Sequence, residues 1–102
     1  MLKENNGKIP ANNLCQVIII ISGLVQGVYF RAHTRRQALN LGLIGYAKNL
    51  ADGRVEVKAA GHKNNLEKLI AWCHQGPPAA RVESVTWECQ PFDLTDNIFI
   101  VI

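Results

Sequence analysis

The stretch Cys15 to Ser22, Cys-Gln-Val-Ile-Ile-Ile-Ile-Ser, most narrows the folds open to this chain. Cys15, Val17, Ile19 and Ile21 share one parity, and Ile18 and Ile20 lie on the other. A strand that is apolar on both faces suits the centre of a sheet rather than an edge. It is also too short to cross a membrane, and Gln16 interrupts it. The strand runs through Gly23 and Gly27 into Tyr29–Leu41, which reads as a helix. Phe30, Thr34, Ala38 and Leu41 form its buried face, and Gly42 is its natural stop.

The rest of the chain completes a two-layer pattern. Strands are predicted at Ile44–Leu50 and Arg54–Ala60, joined by the hairpin signal Ala51-Asp52-Gly53. The second of these alternates Val55, Val57 and Ala59 with Arg54, Glu56 and Lys58, so one face is dry and the other wet. A second helix is expected over Asn65–Gln75, with Leu66, Leu69, Ile70 and Cys73 on its apolar stripe. Asn64 and Glu67 suggest a capping box for it, and Gly76, Pro77 and Pro78 end it. Val82–Cys89 is a strand with Val85, Trp87 and Cys89 on one face. Pro91–Asp96 reads as a loop, and Asn97–Ile102 as a short last strand. The order βαββαβ plus a short strand gives an α+β, ferredoxin-like two-layer sandwich, its antiparallel sheet covered by two helices on one face.

Bulk properties set the outer bounds. A chain of 102 residues supports one domain with a modest core, and 48% apolar content is ordinary for a globular protein. A formal charge of +3 suits a small anionic ligand and is too weak to argue for nucleic acid. RNA-recognition sheets carry aromatics on their exposed face, where Arg54, Glu56 and Lys58 stand here. Residues 1–13 are polar and asparagine-rich and lack the apolar segment of a signal peptide. They are expected to be a flexible extension ahead of a domain at 14–102, in a cytoplasmic protein. Cys15, Cys73 and Cys89 are too few and scattered for a disulfide framework or a zinc site and read as small core residues.

The chemistry lies in Ser22-Gly23-Leu24-Val25-Gln26-Gly27-Val28-Tyr29-Phe30-Arg31. A glycine-bearing strand-to-helix turn can converge successive N–H groups on an anion. The helix start adds orphan N–H groups and positive dipole character. Arg31 adds a planar fork suited to phosphate oxygens. The backbone of Leu24, Val25, Gln26, Gly27, Val28, Tyr29 and Phe30, with Arg31, is therefore the candidate phosphate cradle. No Gly-Lys-Ser/Thr follows, so this is not a nucleoside-triphosphate loop, and the three-glycine dinucleotide pattern is absent. Read physically alone, two glycines between a strand and a helix are as often a tight connection as a binding loop.

The string Ser22–Arg31 resembles the signature loop of the acylphosphatases. The stretch Gly42-Leu43-Ile44-Gly45-Tyr46-Ala47-Lys48-Asn49-Leu50-Ala51-Asp52-Gly53-Arg54-Val55-Glu56-Val57 resembles that family's second signature, in the right order and at a plausible separation. The resemblance extends with less specificity to about Phe99. It implies the same ferredoxin-like fold and hydrolysis of acyl phosphates to a carboxylate and inorganic phosphate. It implies no metal or organic cofactor. Arg31 would bind phosphate and Asn49 would position the attacking water. By residue chemistry alone, Asn49 would be assigned to turn geometry. The expected partners are a small acyl phosphate and its product inorganic phosphate, or a sulfate mimic, with no nucleic acid or membrane and a monomeric state. Tyr29 occupies a position that varies within the family, and packing at the loop mouth is all that is expected of it. Chains of this kind often end in a charged or aromatic residue, where this one ends Ile100-Val101-Ile102. The rival reading is a non-catalytic module that binds phosphate or carbamoyl phosphate.

Overall fold

The computed structural model describes residues 14–95 and 97–102; the expected N-terminal extension lies outside them. The elements in chain order are β1 (Leu14–Leu24), α1 (Phe30–Asn40), β2 (Ile44–Asn49), β3 (Val55–His62), α2 (Lys63–Gln75), β4 (Arg81–Gln90) and β5 (Phe99–Val101). The sheet order is β4-β1-β3-β2-β5. Every neighbouring pair is antiparallel except β2–β5. This is the predicted α+β ferredoxin-like sandwich. The two-sided apolar strand β1 stands between β3 and β4, as its pattern requires.

The core lies between the sheet and the two helices. Val17, Ile19 and Ile21 of β1 meet Val55, Val57 and Ala59 of β3. Phe30 and Ala38 of α1, and Leu66, Leu69, Ile70 and Cys73 of α2, close over them. The predicted helix faces are therefore the buried ones. The Phe30 and Trp72 rings, 5.4 Å apart and tilted by 56°, tie α1 to α2. Val85, Trp87 and Cys89 are half-buried against the same core because β4 is an edge strand. Among the described residues no disulfide joins any of the three cysteines. Burial pushes the Cys73 thiol up to about 12, so it stays protonated at neutral pH and is no nucleophile.

Three sequence expectations need correction. The helix α2 begins at Lys63, with His62 as its N-cap and no side-chain cap. The Asn64–Glu67 capping box is therefore not formed, because Asn64 already lies inside the helix. Its neighbour Asn65 instead donates its Nδ2 hydrogen to Leu41 O at 3.0 Å, joining α2 to the end of α1. The last strand is three residues long, shorter than Asn97–Ile102. The sheet face away from the helices is also partly covered. Backbone N–H groups of Asp93 and Leu94 donate to Gln16 Oε1, each at 3.1 Å. Gln16 Nε2 donates to Asp93 Oδ1 at 2.8 Å. The β4–β5 connection thus crosses the outer face, which explains a fully buried glutamine in β1. The Gln16 donor, then the Lys58 ammonium 3.2 Å away, holds the Asp93 carboxyl below the usual range.

Candidate active site

The loop 25–29 leaves β1 at a register shift. The β1–β4 ladder slips by one residue between Ser22 and Gly23, a bulge-like irregularity after which Gly23 and Leu24 still pair with Val82 and Arg81. Gly23 has φ 125°, and a Cβ there would stand 2.2 Å from Arg81 O. Its glycine is thus explained by the close approach of the β4 backbone and not by a ligand. Gly27 is the opposite case. It has φ 75°, and a Cβ would meet nothing within 4 Å. The loop backbone is open to solvent there, where an anion would enter.

A pocket of about 310 Å³ opens at this point, lined by Val25, Gly27, Tyr29, Phe30, Arg31, Ala32, Asn49 and Val101. Of the sequence-predicted residues it joins Val25, Gly27, Tyr29, Phe30 and Arg31 with Asn49. Leu24, Gln26 and Val28 do not line it. Leu24 closes β1 opposite Arg81 with its side chain exposed, and Val28 packs against the core. Val101 is a lining residue that the sequence did not suggest. It arrives from β5, whose short parallel pairing with β2 carries no distinctive pattern.

Arg31 is the second residue of α1, in a first turn without acidic side chains. That turn leaves N–H groups with no intrahelical acceptor and a positive end to the dipole. Arg31 Nη1 donates to Ile102 O at 3.0 Å. One bond to a backbone oxygen fixes the guanidinium and leaves further N–H donors for an anion. Because the acceptor is a backbone atom, the isoleucine side chain has no part in the contact. Arg35 Nε likewise donates to Phe99 O at 3.1 Å, so α1 holds β5 at its first residue and the chain just beyond it at Ile102.

Asn49 is the last residue of β2, paired with Val55 just before the turn. Among the described residues no hydrogen bond occupies its carboxamide, which leaves it able to orient a water. The hairpin that carries it is braced by a residue whose side chain the sequence did not single out. Gln26 Nε2 donates to Leu50 O at 2.8 Å and to Arg54 O at 2.9 Å. The loop and the hairpin are therefore cross-linked beside Asn49. Only the tertiary structure brings these two segments together, so no local signal marks the contact. Gln26→Ala should lower turnover about 10- to 100-fold, the scale of loss from misplaced groups, with much less effect on inhibition by phosphate. Steady-state kinetics with phosphate as competitor checks this.

The nearby charges are engaged elsewhere. Arg54 Nε and Asp52 Oδ2 pair at 2.8 Å, and Lys48 Nζ lies 3.8 Å from Glu56. These are surface pairs, as expected of solvated charges, and neither Lys48 nor Arg54 lines the pocket. The backbone N–H of Arg54, bonded to Asp52 Oδ1, is the main reason the Asp52 carboxyl titrates low.

Tyr29 departs from expectation. As N-cap of α1 it has φ 64° and ψ 25°, the left-handed region, at a cost of about 1–2 kcal/mol for a residue with a Cβ. Its side chain is 77% exposed and does not pack at the loop mouth.

A ferredoxin-like sandwich with an arginine and an asparagine converging on an amide-rich loop defines a small anion-handling α+β protein. The acylphosphatase family model matches residues 17–99, and the chain belongs to that family. The acylphosphatase of Halorhodospira halophila is 59% identical over 73 residues, 72% of this chain and 77% of that one. The solved acylphosphatase of Coxiella burnetii superposes with a TM-score of 0.83 at 38% identity, covering 89% of this chain and 95% of that one. The HypF protein of T. kodakarensis is also similar, with a TM-score of 0.76 and 31% identity, but this chain covers 12% of it. The chain is thus a hydrolase acting on acyl phosphates. Among the described residues no helix is long and apolar enough to cross a membrane.

Proposed function

We propose that Arg31 and the loop amides bind the phosphoryl group and that Asn49 positions the water that attacks it in line. The single observation that carries this reading is the shared pocket of Gly27, Tyr29, Phe30, Arg31 and Asn49. The leaving group is a carboxylate, already stable as an anion, so no strong general acid is needed. Catalysis then consists of holding the phosphoryl group, offsetting its charge and aligning water. Arg31 and the N–H groups of the loop and of the first turn of α1 offset the charge. Asn49 orients the water without repelling a phosphate dianion, as an aspartate would. A neutral amide is no strong base, so the water's proton passes to a phosphoryl oxygen or to solvent. In this mechanism no metal takes part, inorganic phosphate occupies the cradle as product, and the protein works as a cytoplasmic monomer.

Benzoyl phosphate hydrolysis at neutral pH, with and without EDTA, tests the reading. Turnover that EDTA leaves intact is expected. Phosphate binding without any turnover would instead favour the non-catalytic module.

A further inference from the structure

Tyr29 is the one site residue whose placement the fold does not explain. Its left-handed backbone is a conformation that glycine adopts without strain. Its exposed ring gains no core contact that would offset the cost. Strain kept without a packing reward points to a role outside the fold. What adjoins Tyr29 outside the fold is the pocket.

That pocket has two chemical parts. Gly27, Arg31 and Asn49 supply its polar part, while Tyr29, Ala32 and Val101 supply apolar surface open to solvent. Among the described residues, Arg31 is the only charged one lining it. An acyl phosphate is divided in the same way, into a charged phosphoryl group and an acyl group. We infer that Tyr29, with Val101, forms the subsite for the acyl group and that the site favours neutral apolar acyl groups, aromatic ones above all. The inference rests on the proposed phosphate-binding role of Arg31 and the loop. With Arg31 committed to the phosphoryl group, a second anionic group on the acyl side finds no partner in the lining. An aromatic acyl ring can stack on the Tyr29 ring or meet its edge. Tyr29 makes and breaks no bond; it selects.

The test is the ratio of kcat/KM for benzoyl phosphate to that for acetyl phosphate, in the parent protein, Tyr29→Gly and Tyr29→Phe. Glycine suits the backbone at this position, so the first variant is expected to fold. The ratio should fall about 3- to 10-fold in Tyr29→Gly, the scale of a lost aromatic contact, and hold in Tyr29→Phe. An unchanged ratio in Tyr29→Gly overturns the subsite. An equal fall in Tyr29→Phe assigns the effect to the hydroxyl and overturns the apolar reading. If the parent protein hydrolyses neither substrate, the catalytic reading beneath the inference fails and takes the subsite with it.

Discussion

Arg31→Ala should reduce benzoyl phosphate turnover by at least ~10³-fold, the scale on which a charge-stabilising arginine acts in phosphoryl transfer. Inorganic phosphate should lose its inhibitory effect in the same variant. Both effects follow from one geometry. The guanidinium lines the pocket while one of its nitrogens is held by Ile102 O at 3.0 Å. Arg31→Lys should recover little, because an ammonium cannot hold the backbone oxygen and present a planar fork to phosphate together. Steady-state kinetics with phosphate as competitor measures both. Near-normal phosphate inhibition in Arg31→Ala would remove Arg31 from the cradle. The Arg31 bond to Ile102, just after β5, is also structural, so a thermal melt of each variant separates loss of the site from loss of the fold.

Asn49→Ala should separate binding from chemistry. Turnover should fall at least ~10²-fold, as for other polar groups that act in the transition state. Phosphate should still bind, since the proposed cradle is built from the loop and α1 and not from β2. In kinetic terms kcat falls and the phosphate inhibition constant holds. Asn49→Asp is the sharper companion. It keeps the shape and adds a negative charge facing the phosphoryl group, so both turnover and phosphate affinity should drop. An Asn49→Ala protein with near-normal kcat would return Asn49 to turn geometry.

These predictions draw on residues of unequal legibility in the sequence. The fold was readable because its signals are local and periodic. The two-sided apolar pattern of Val17–Ile21 put β1 at the sheet centre, and the alternation of Val55, Val57 and Ala59 put β3 half in the core. Element ends were harder. The helix α2 begins at Lys63, ahead of the Asn64–Glu67 pair, directly after the extended backbone of His62 and with no side-chain cap. Arg31 is marked by its chemistry at the end of a glycine-bearing loop, whereas Asn49 is singled out only through motif resemblance, since an asparagine before a turn has an ordinary explanation. Gln26, Gln16 and Val101 act through contacts with distant segments. No periodicity reports that the Gln26 side chain reaches the hairpin or that Gln16 anchors the loop at Asp93. For Tyr29 the sequence suggests only packing at the loop mouth, because its position varies within the family. Its left-handed backbone is visible only in three dimensions.

The position of β1 also sets when the site can exist. Its partners are β3 and β4, and Gln16 stands opposite Gln90, 74 positions further along the chain. Such distant pairing must meet the entropy of loop closure before it gains any contact, so folding is slower than local structure alone would allow. The proposed anion-binding loop hangs from the end of this strand and is braced by a hairpin on β2 and β3. A half-folded chain therefore has no cradle. On the proposed reading, phosphate should bind the finished sheet alone, and by mass action each tenfold rise in phosphate above its dissociation constant should stabilise the entire domain by about 1.4 kcal/mol.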